Sequence, residues 1–251
     1  MIEIQNLVLG YGKHVLLDDV SLSVPCGKLT AVIGRNGSGK STLLRALSGL
    51  GDYISGHIEL DGHNLKGMSV QQLARIVACV TTERLKIANL RCRDIVALGR
   101  APYTNWIGRM QDEDETIVTN SLRLVGMESY ADCTMDKMSD GECQRIMIAR
   151  ALAQNTPIIL LDEPTSFLDI PNRYELCALL ANLAHKEGKC VVFSTHELDI
   201  ALSHCDFVIL INNPHLYYLP VAEMSRSGHI ERLFCRSHEE RAAIKKLLHI
   251  E

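Results

Sequence analysis

Apolar and polar residues alternate along the first stretch of the chain, from Ile2 to Val24. This period of two matches the two faces of a β-strand, so the pattern predicts half-buried, antiparallel strands. The run from Leu29 to Ile33 is short and mostly apolar, which is typical of a strand that is buried on both faces. Further strands are predicted at 56–62, which ends in an Asp-Gly turn, and at 76–80.

Helical spacing alternates with apolar runs through the rest of the chain, which predicts an α/β fold with a mainly parallel sheet. We expect one domain: a core of residues 1–82 and 156–220 that includes an N-terminal antiparallel β subdomain, an inserted α-helical subdomain at 83–155, and a mostly helical tail at 221–251. Helices are predicted at 41–50, 93–99, 112–125 and 144–153, and strands at 157–161, 190–194 and 207–211.

Composition narrows the class of protein only slightly. Charged residues make up 22% of the 251 residues and the net charge is −4, which gives no general attraction to nucleic acid or to anionic membranes. No apolar run approaches the ~20 residues that span a bilayer, and the first residues lack the pattern of a signal peptide. The nine cysteines form no Cys-x-x-Cys pair, which favours free thiols in a reducing cytosol.

A glycine-rich segment follows the predicted strand at 29–33 and opens the predicted helix at 41–50. Its pattern, Gly-x-x-x-x-Gly-Lys-Ser, lets backbone N–H groups and a helix N-terminus face phosphates. Lys40 would reach the β- and γ-phosphates, and the Ser41 hydroxyl would ligate magnesium. The segment therefore predicts a site for ATP and Mg²⁺, formed by Gly34, Arg35, Asn36, Gly37, Ser38, Gly39, Lys40, Ser41 and Thr42.

The apolar run 158–161 ends in two acids, Asp162 and Glu163. Asp162 would hold the magnesium through water, and Glu163 would act as the general base that polarises the attacking water. An apolar run before Asp-Glu is often only the end of a strand. Its pairing with the glycine-rich loop strengthens the catalytic interpretation.

Between these two segments lies Ser139-Asp140-Gly141-Glu142. By itself Ser139 is equally well explained as a helix N-cap, with Glu142 completing a capping box. The order of the three segments, however, resembles that of ATP-binding cassette (ABC) ATPases. The resemblance implies a P-loop NTPase core, in which Ser139 and Gly141 hold the γ-phosphate of an ATP bound to a second copy, head to tail. Asp140 and Glu142 depart from the family's Ser-Gly-Gly-Gln, and an acid here is expected to weaken ATP-driven closure unless it points away.

Further positions match the same family. Tyr11 falls where the family places an aromatic ring against adenine, His196 matches the histidine that contacts the γ-phosphate, and 166–169 match a loop that crosses the dimer interface. Each also has a plain structural interpretation, as a surface tyrosine or a histidine after a strand. The family's magnesium-binding glutamine is absent: Thr82 holds its position, and either Thr82 or Glu83 would supply the oxygen.

The runs 96–103, 106–109 and 165–170 are similar to those of ATPases that serve iron-siderophore, heme and cobalamin importers. The resemblance implies an ATPase on the cytoplasmic face of the plasma membrane, which powers a separate permease and works indirectly with a substrate-binding protein, without nucleic acid. Two alternatives stay open at this point: a non-transport cassette that acts in DNA repair, translation or iron–sulfur assembly, and a P-loop kinase or GTPase. The second lacks an Asn-Lys-x-Asp guanine motif.

Overall fold

The computed structural model describes residues 1–12, 14–82, 89–104 and 110–235. The strands are β1 (Ile2–Tyr11), β2 (His14–Val24), β3 (Lys28–Gly34), β4 (Ser55–Leu60), β5 (His63–Asn64), β6 (Val77–Val80), β7 (Ile158–Leu161), β8 (Cys190–Ser194), β9 (Phe207–Asn212) and β10 (His215–Pro220). The α-helices are α1 (Lys40–Leu47), α2 (Val70–Leu73), α3 (Cys92–Ala97), α4 (Asp112–Leu124), α5 (Asp140–Ala153), α6 (Ile170–His185), α7 (Leu198–His204), α8 (Val221–Arg226) and α9 (His229–Phe234).

The N-terminal strands form an antiparallel sheet in the order β2-β1-β4-β5. On β1, Ile2 lies opposite Val24 of β2 and Leu60 of β4, so apolar residues face apolar residues across both strand pairs. The alternation of apolar and polar positions therefore predicted this sheet correctly. The Asp-Gly turn at the end of β4 also forms, with positive φ at both Asp61 and Gly62.

The larger sheet has six strands in the order β10-β9-β3-β8-β7-β6. It is parallel from β9 to β6, and β10 pairs antiparallel with β9. The predicted mainly parallel sheet is confirmed, and β10 is an edge strand that the apolar runs did not indicate. The carboxyl ends of β3, β6, β7 and β8 meet at one edge, where open α/β sheets bind ligands.

Two buried apolar clusters lie on opposite faces of this sheet. On β3, Val32 packs toward α1 and the antiparallel sheet, whereas Leu29, Ala31 and Ile33 pack toward the helices on the other face. The second cluster continues without interruption from the sheet into α3, α4 and α5. The helical segment therefore shares the core of the sheet, and the subdomain boundaries proposed at 82/83 and 155/156 stay a prediction.

The sequence prediction missed the short helices α2 and α7, and two longer helices also differ from it. Helix α5 begins at Asp140 rather than at Gln144, because Ser139 caps it, and α6 was not predicted although Asp169 and Pro171 are start signals. The predicted helical tail includes α8 and α9, and its remainder lies outside the described residues, as do Glu83 and Trp106. Among the residues that are described, no helix has the length and apolar character needed to cross a membrane.

Candidate nucleotide-binding site

The glycine-rich loop joins β3 to α1 at the ligand-binding edge of the sheet. Gly34 allows close packing, since a Cβ atom there would lie 2.6 Å from Ser38 Oγ and 3.0 Å from the Ile211 carbonyl oxygen. Gly39, with φ +100°, stands just before α1 in a conformation that L-residues avoid, and it provides no side-chain cap. The first turn of α1 also contains no acid. The N–H groups of this helix are therefore available to an anion.

Lys40 is folded back along the loop. Its side chain is buried, with 5% exposure, and Nζ donates to the carbonyl oxygens of Gly34 and Arg35 at 3.1 and 3.4 Å. Burial lowers the pKa of Lys40, and the carboxylates of Glu163 and Asp162 act against that shift. The ammonium group therefore lies inside the loop, close to the two acids that follow β7.

Asp162 and Glu163 follow β7 and are joined by Ser194 at the end of β8. The Ser194 hydroxyl donates to Asp162 Oδ1 at 2.6 Å and accepts from the Glu163 backbone N–H at 2.9 Å. Glu163 has φ +49°, a left-handed conformation that costs of order 1 kcal/mol in a residue with a Cβ atom. This turn directs the two neighbouring carboxylates differently: Asp162 is buried beside Ser194, and Glu163 lines the cleft described below.

His196 links Glu163, which follows β7, to Lys40 of the glycine-rich loop. Its Nε2 is in close contact with Glu163 Oε1, and its Nδ1 lies 3.5 Å from Lys40 Nζ. The Ser166 hydroxyl contacts the same glutamate, at 2.9 Å from its carbonyl oxygen and 3.3 Å from Oε2. Residues from three segments that are far apart in the sequence thus form one polar network.

A cleft with a volume of about 600 Å³ opens above this network. Tyr11 stands at its rim with 63% of its surface exposed, and its hydroxyl is 2.8 Å from Thr42 Oγ1. An exposed ring fixed at one end can stack on a planar base. The lining consists of strand residues Tyr11, His14 and Leu16, loop and helix residues Asn36, Gly37, Gly39, Lys40, Ser41 and Thr42, and the pair Glu163 and His196.

Not every predicted loop residue lines the cleft. Arg35 contributes its carbonyl oxygen to Lys40, and Ser38 is buried with a hydroxyl that has no hydrogen-bond partner among the described residues. Ser194, His14 and Leu16 belong to the site although the sequence analysis did not select them. Ser194 closes a buried strand directly before the Thr195-His196 pair, which is a usable signal; the alternating pattern around Leu16 gives none.

The oxygen donors at this edge suit magnesium. Ser41 lies in the first turn of α1 and lines the cleft, and Asp162 is a buried carboxylate. Thr82 follows β6, and the Val80 carbonyl oxygen of that strand accepts the Asp162 N–H at 2.8 Å. One carboxylate with hydroxyls is the donor set that Mg²⁺ uses together with phosphate oxygens. No group of three His, Cys, Asp or Glu side chains able to hold a metal occurs within the described ranges. The assignments of Thr82 and Glu83 stay predictions, and Glu83 lies outside those ranges.

Ser139 and Gly141 lie apart from the cleft of their own chain, which neither residue lines. Ser139 caps α5 and forms the full capping box with Glu142. Gly141 packs against the 166–169 loop, since a Cβ atom there would lie 2.9 Å from the Phe167 carbonyl oxygen. The structural interpretation of Ser139 is therefore observed, and its phosphate-binding role stays a prediction.

The mainly parallel sheet, the glycine-rich loop before α1 and the acids after β7 define a P-loop nucleotide-hydrolysing protein. A model of the ABC transporter family matches residues 17–166, and the chain belongs to that family. Its members bind and hydrolyse ATP, so the chain is an ATPase, and the predicted family and fold are confirmed.

Three comparisons describe its relatives. The petrobactin import ATP-binding protein FpuD of Bacillus anthracis is 37% identical over 86% of this chain and 79% of that protein. A metal-chelate type ABC transporter, solved in an inward-facing conformation, has a TM-score of 0.81 and 28% identity over 93% of this chain and 88% of that one. A dimeric ATP-binding cassette, solved with ADP and Pi after hydrolysis, has a TM-score of 0.78 and 26% identity over 88% and 99%.

Proposed function

We propose that this chain is the ATP-hydrolysing subunit of an importer of metal chelates. Two copies would close head to tail around ATP and drive a separate membrane permease. The similarity to a petrobactin import protein and to a metal-chelate type transporter supports this cargo class, which includes the iron-siderophore, heme and cobalamin compounds expected from the sequence.

The observation that carries the proposal is the one-sided cleft. The phosphate loop, Glu163 and His196 line it, and neither Ser139 nor Gly141 of the same chain does. A second copy, placed head to tail, would bring its own Ser139 and Gly141 to the open side. The dimeric cassette that was solved with ADP and Pi supports this arrangement.

Within the cleft each residue has a separate role. Lys40 and the loop N–H groups would bind the phosphates, and Tyr11 would stack on the base. Glu163, held by His196 and Ser166, would polarise the attacking water. Ser41 and Asp162 would hold Mg²⁺, with Thr82 or Glu83 as a further ligand, and the ion would neutralise charge on the phosphates.

The helical segment would dock on the permease at the cytoplasmic face of the membrane, and a substrate-binding protein would deliver the cargo from the other side. Helices α3, α4 and α5 share the apolar core of the sheet. A displacement of these helices would therefore act, through packed side chains, on the strands that carry the cleft residues. Trp106, Gly108 and Arg109, which resemble importer residues, lie outside the described residues.

Uptake measurements test the proposal. In cells that lack the gene, we expect reduced uptake of one radiolabelled probe among ferric siderophores, heme and cobalamin, restored by the parental gene but not by Glu163→Gln. Glu223→Gln, which changes an exposed acid in the first turn of α8, outside the helical segment, is the matched control and should restore uptake fully. Normal uptake of all three probes together with a DNA-repair, translation or iron–sulfur defect would instead favour a non-transport cassette.

A further inference from the structure

Two acids occupy the helix start that the proposed function assigns to a phosphate. Asp140 and Glu142 both lie in the first turn of α5. A helix N-terminus carries about half a positive charge and stabilises an anion placed beside it. Because the carboxylates of Asp140 and Glu142 already interact with this partial positive charge, it would stabilise the γ-phosphate of the partner's ATP less.

The carboxylate of Glu142 is directed back toward Ser139. Its Oε2 accepts from the Ser139 backbone N–H at 2.8 Å and from the Ser139 hydroxyl at 2.7 Å. The hydrogen bonds from Ser139, backbone first, lower the pKa of Glu142, so the group is ionised at neutral pH. A full negative charge therefore lies in the first turn of α5.

The same contact occupies the only proton of the Ser139 hydroxyl. That proton is donated to Glu142, and Ser139 Oγ also accepts from the Glu142 N–H at 3.3 Å. A phosphate oxygen needs a donor, and a hydrogen bond to a carboxylate is roughly twice as strong as one between neutral groups. The hydroxyl must break a strong bond before it can serve the partner's ATP.

We propose that Glu142 is a positioning residue that restrains the ATP-driven association of two cassettes. It keeps the Ser139 hydroxyl hydrogen-bonded to its own carboxylate, and it places a negative charge at the end of α5 that would face the phosphate. The inference rests on the proposed head-to-tail dimer and adds a regulation of that site. Closure then needs a higher ATP concentration than it would with a neutral residue at this position.

The test compares dimer formation by sizing chromatography with light scattering, at increasing ATP with Mg²⁺, in the hydrolysis-deficient Glu163→Gln background. Glu142→Gln keeps the accepting oxygen of the capping box and removes its charge. We expect it to lower the half-saturating ATP concentration about fivefold, which corresponds to about 1 kcal/mol for each of the two ATP sites, the order expected of one charge beside a phosphate at the surface. Glu113→Gln makes the same substitution in the first turn of α4 and should leave the value unchanged.

Salt separates an electrostatic restraint from a structural effect. The half-saturating ATP concentrations of the proteins with and without Glu142→Gln should become more alike when the salt concentration is raised from about 0.05 M to about 0.5 M. The reason is that screening shortens the reach of a surface charge. An ATP requirement that stays the same or rises in Glu142→Gln overturns the inference and leaves the dimer intact. Failure of the Glu163→Gln protein itself to dimerise with ATP would instead contradict the proposed function on which the inference rests.

Discussion

Helices α1 and α5 both begin at a glycine-containing segment, but their N-termini differ in side-chain capping and in charge. Helix α1 follows Gly39, has no side-chain cap and has no acid in its first turn. Helix α5 follows Ser139, has a complete capping box and carries Asp140 and Glu142. The first helix leaves its backbone donors to a ligand, whereas the second already uses one of them, the Glu142 N–H, in its own cap.

This difference implies that the two segments would bind phosphate with different strengths in the proposed cycle. With Lys40 inside the loop, the α1 end would bind phosphate and hold ATP in a single chain. The α5 end must exchange an internal hydrogen bond for one to the partner's ATP, so its binding would be weak and conditional. A cassette built this way would bind nucleotide alone and would close only at a sufficient ATP concentration.

The largest expected effect is on the chemistry beside α1. Glu163→Gln removes the carboxylate that would polarise water, so we expect ATP hydrolysis to fall about 100- to 10,000-fold, the range for a lost general base. Nucleotide affinity should be retained, because the phosphate loop is unchanged. Phosphate release and equilibrium ATP binding are measured in parallel, with Glu113→Gln as the control. Hydrolysis at the parental rate would remove Glu163 from this role.

Lys40→Ala tests the α1 end as the primary phosphate site. The substitution removes the cation that lies within the loop, and we expect the Kd for ATP to rise about 30-fold, since a hydrogen bond to a charged group contributes about 2 kcal/mol. Lys66→Ala is a suitable control because Lys66 lies over the Tyr53 ring, 4.6 Å from its centroid and outside the cleft lining. Equal effects of the two substitutions would contradict the assignment.

Two glycine substitutions sharpen the comparison of helix starts. Gly39→Ala forces a side chain into φ +100° and toward Leu16, at roughly 1–2 kcal/mol, and should weaken ATP binding about tenfold. Gly141→Ala places a methyl group 2.9 Å from the Phe167 carbonyl oxygen, so it should lower hydrolysis and spare nucleotide binding. Gly62→Ala, with φ +78° and open space around it, controls for strain alone. If Gly39→Ala and Gly141→Ala changed ATP binding to the same extent, the proposed difference between the two helix starts would be contradicted.

The smallest effect is expected at the rim of the cleft. Tyr11→Ala should raise the Kd for ATP about fivefold, since a stacking contact contributes about 1 kcal/mol. Tyr11→Phe keeps the ring and loses only the hydroxyl contact to Thr42, so its Kd should stay near the parental value. An unchanged Kd in Tyr11→Ala would make Tyr11 an ordinary surface residue.

Local signals predicted the strand, the loop and the helix on the α1 side well. A buried strand, a glycine-rich loop and a helix are contiguous in the sequence, so the site at Gly34–Thr42 follows from neighbouring residues alone. Ser194, which joins Asp162 to Glu163, and Leu16, which lines the cleft, come from other strands, and only the order of the strands in the sheet brings them there.

The α5 side was harder to predict for a physical reason. The Ser-Asp-Gly-Glu segment has the composition of a turn, so the helix was expected at Gln144, yet the capping box lets it begin at Asp140. The orientation of Glu142 depends on one rotamer, which no sequence pattern specifies. The bond from the Ser139 hydroxyl to Glu142 therefore had to be observed.

A mixing experiment tests most directly whether α1 of one copy and α5 of another share one ATP. One protein carries Lys40→Ala and the other Ser139→Asp, a substitution that keeps an N-cap but directs a charge at the phosphate, and both carry Glu163→Gln. Each alone should stay monomeric with ATP and Mg²⁺, whereas the mixture should form a dimer with one bound nucleotide, because one composite site stays intact. A mixture that remains monomeric, or a Ser139→Asp protein that dimerises alone, would contradict the account.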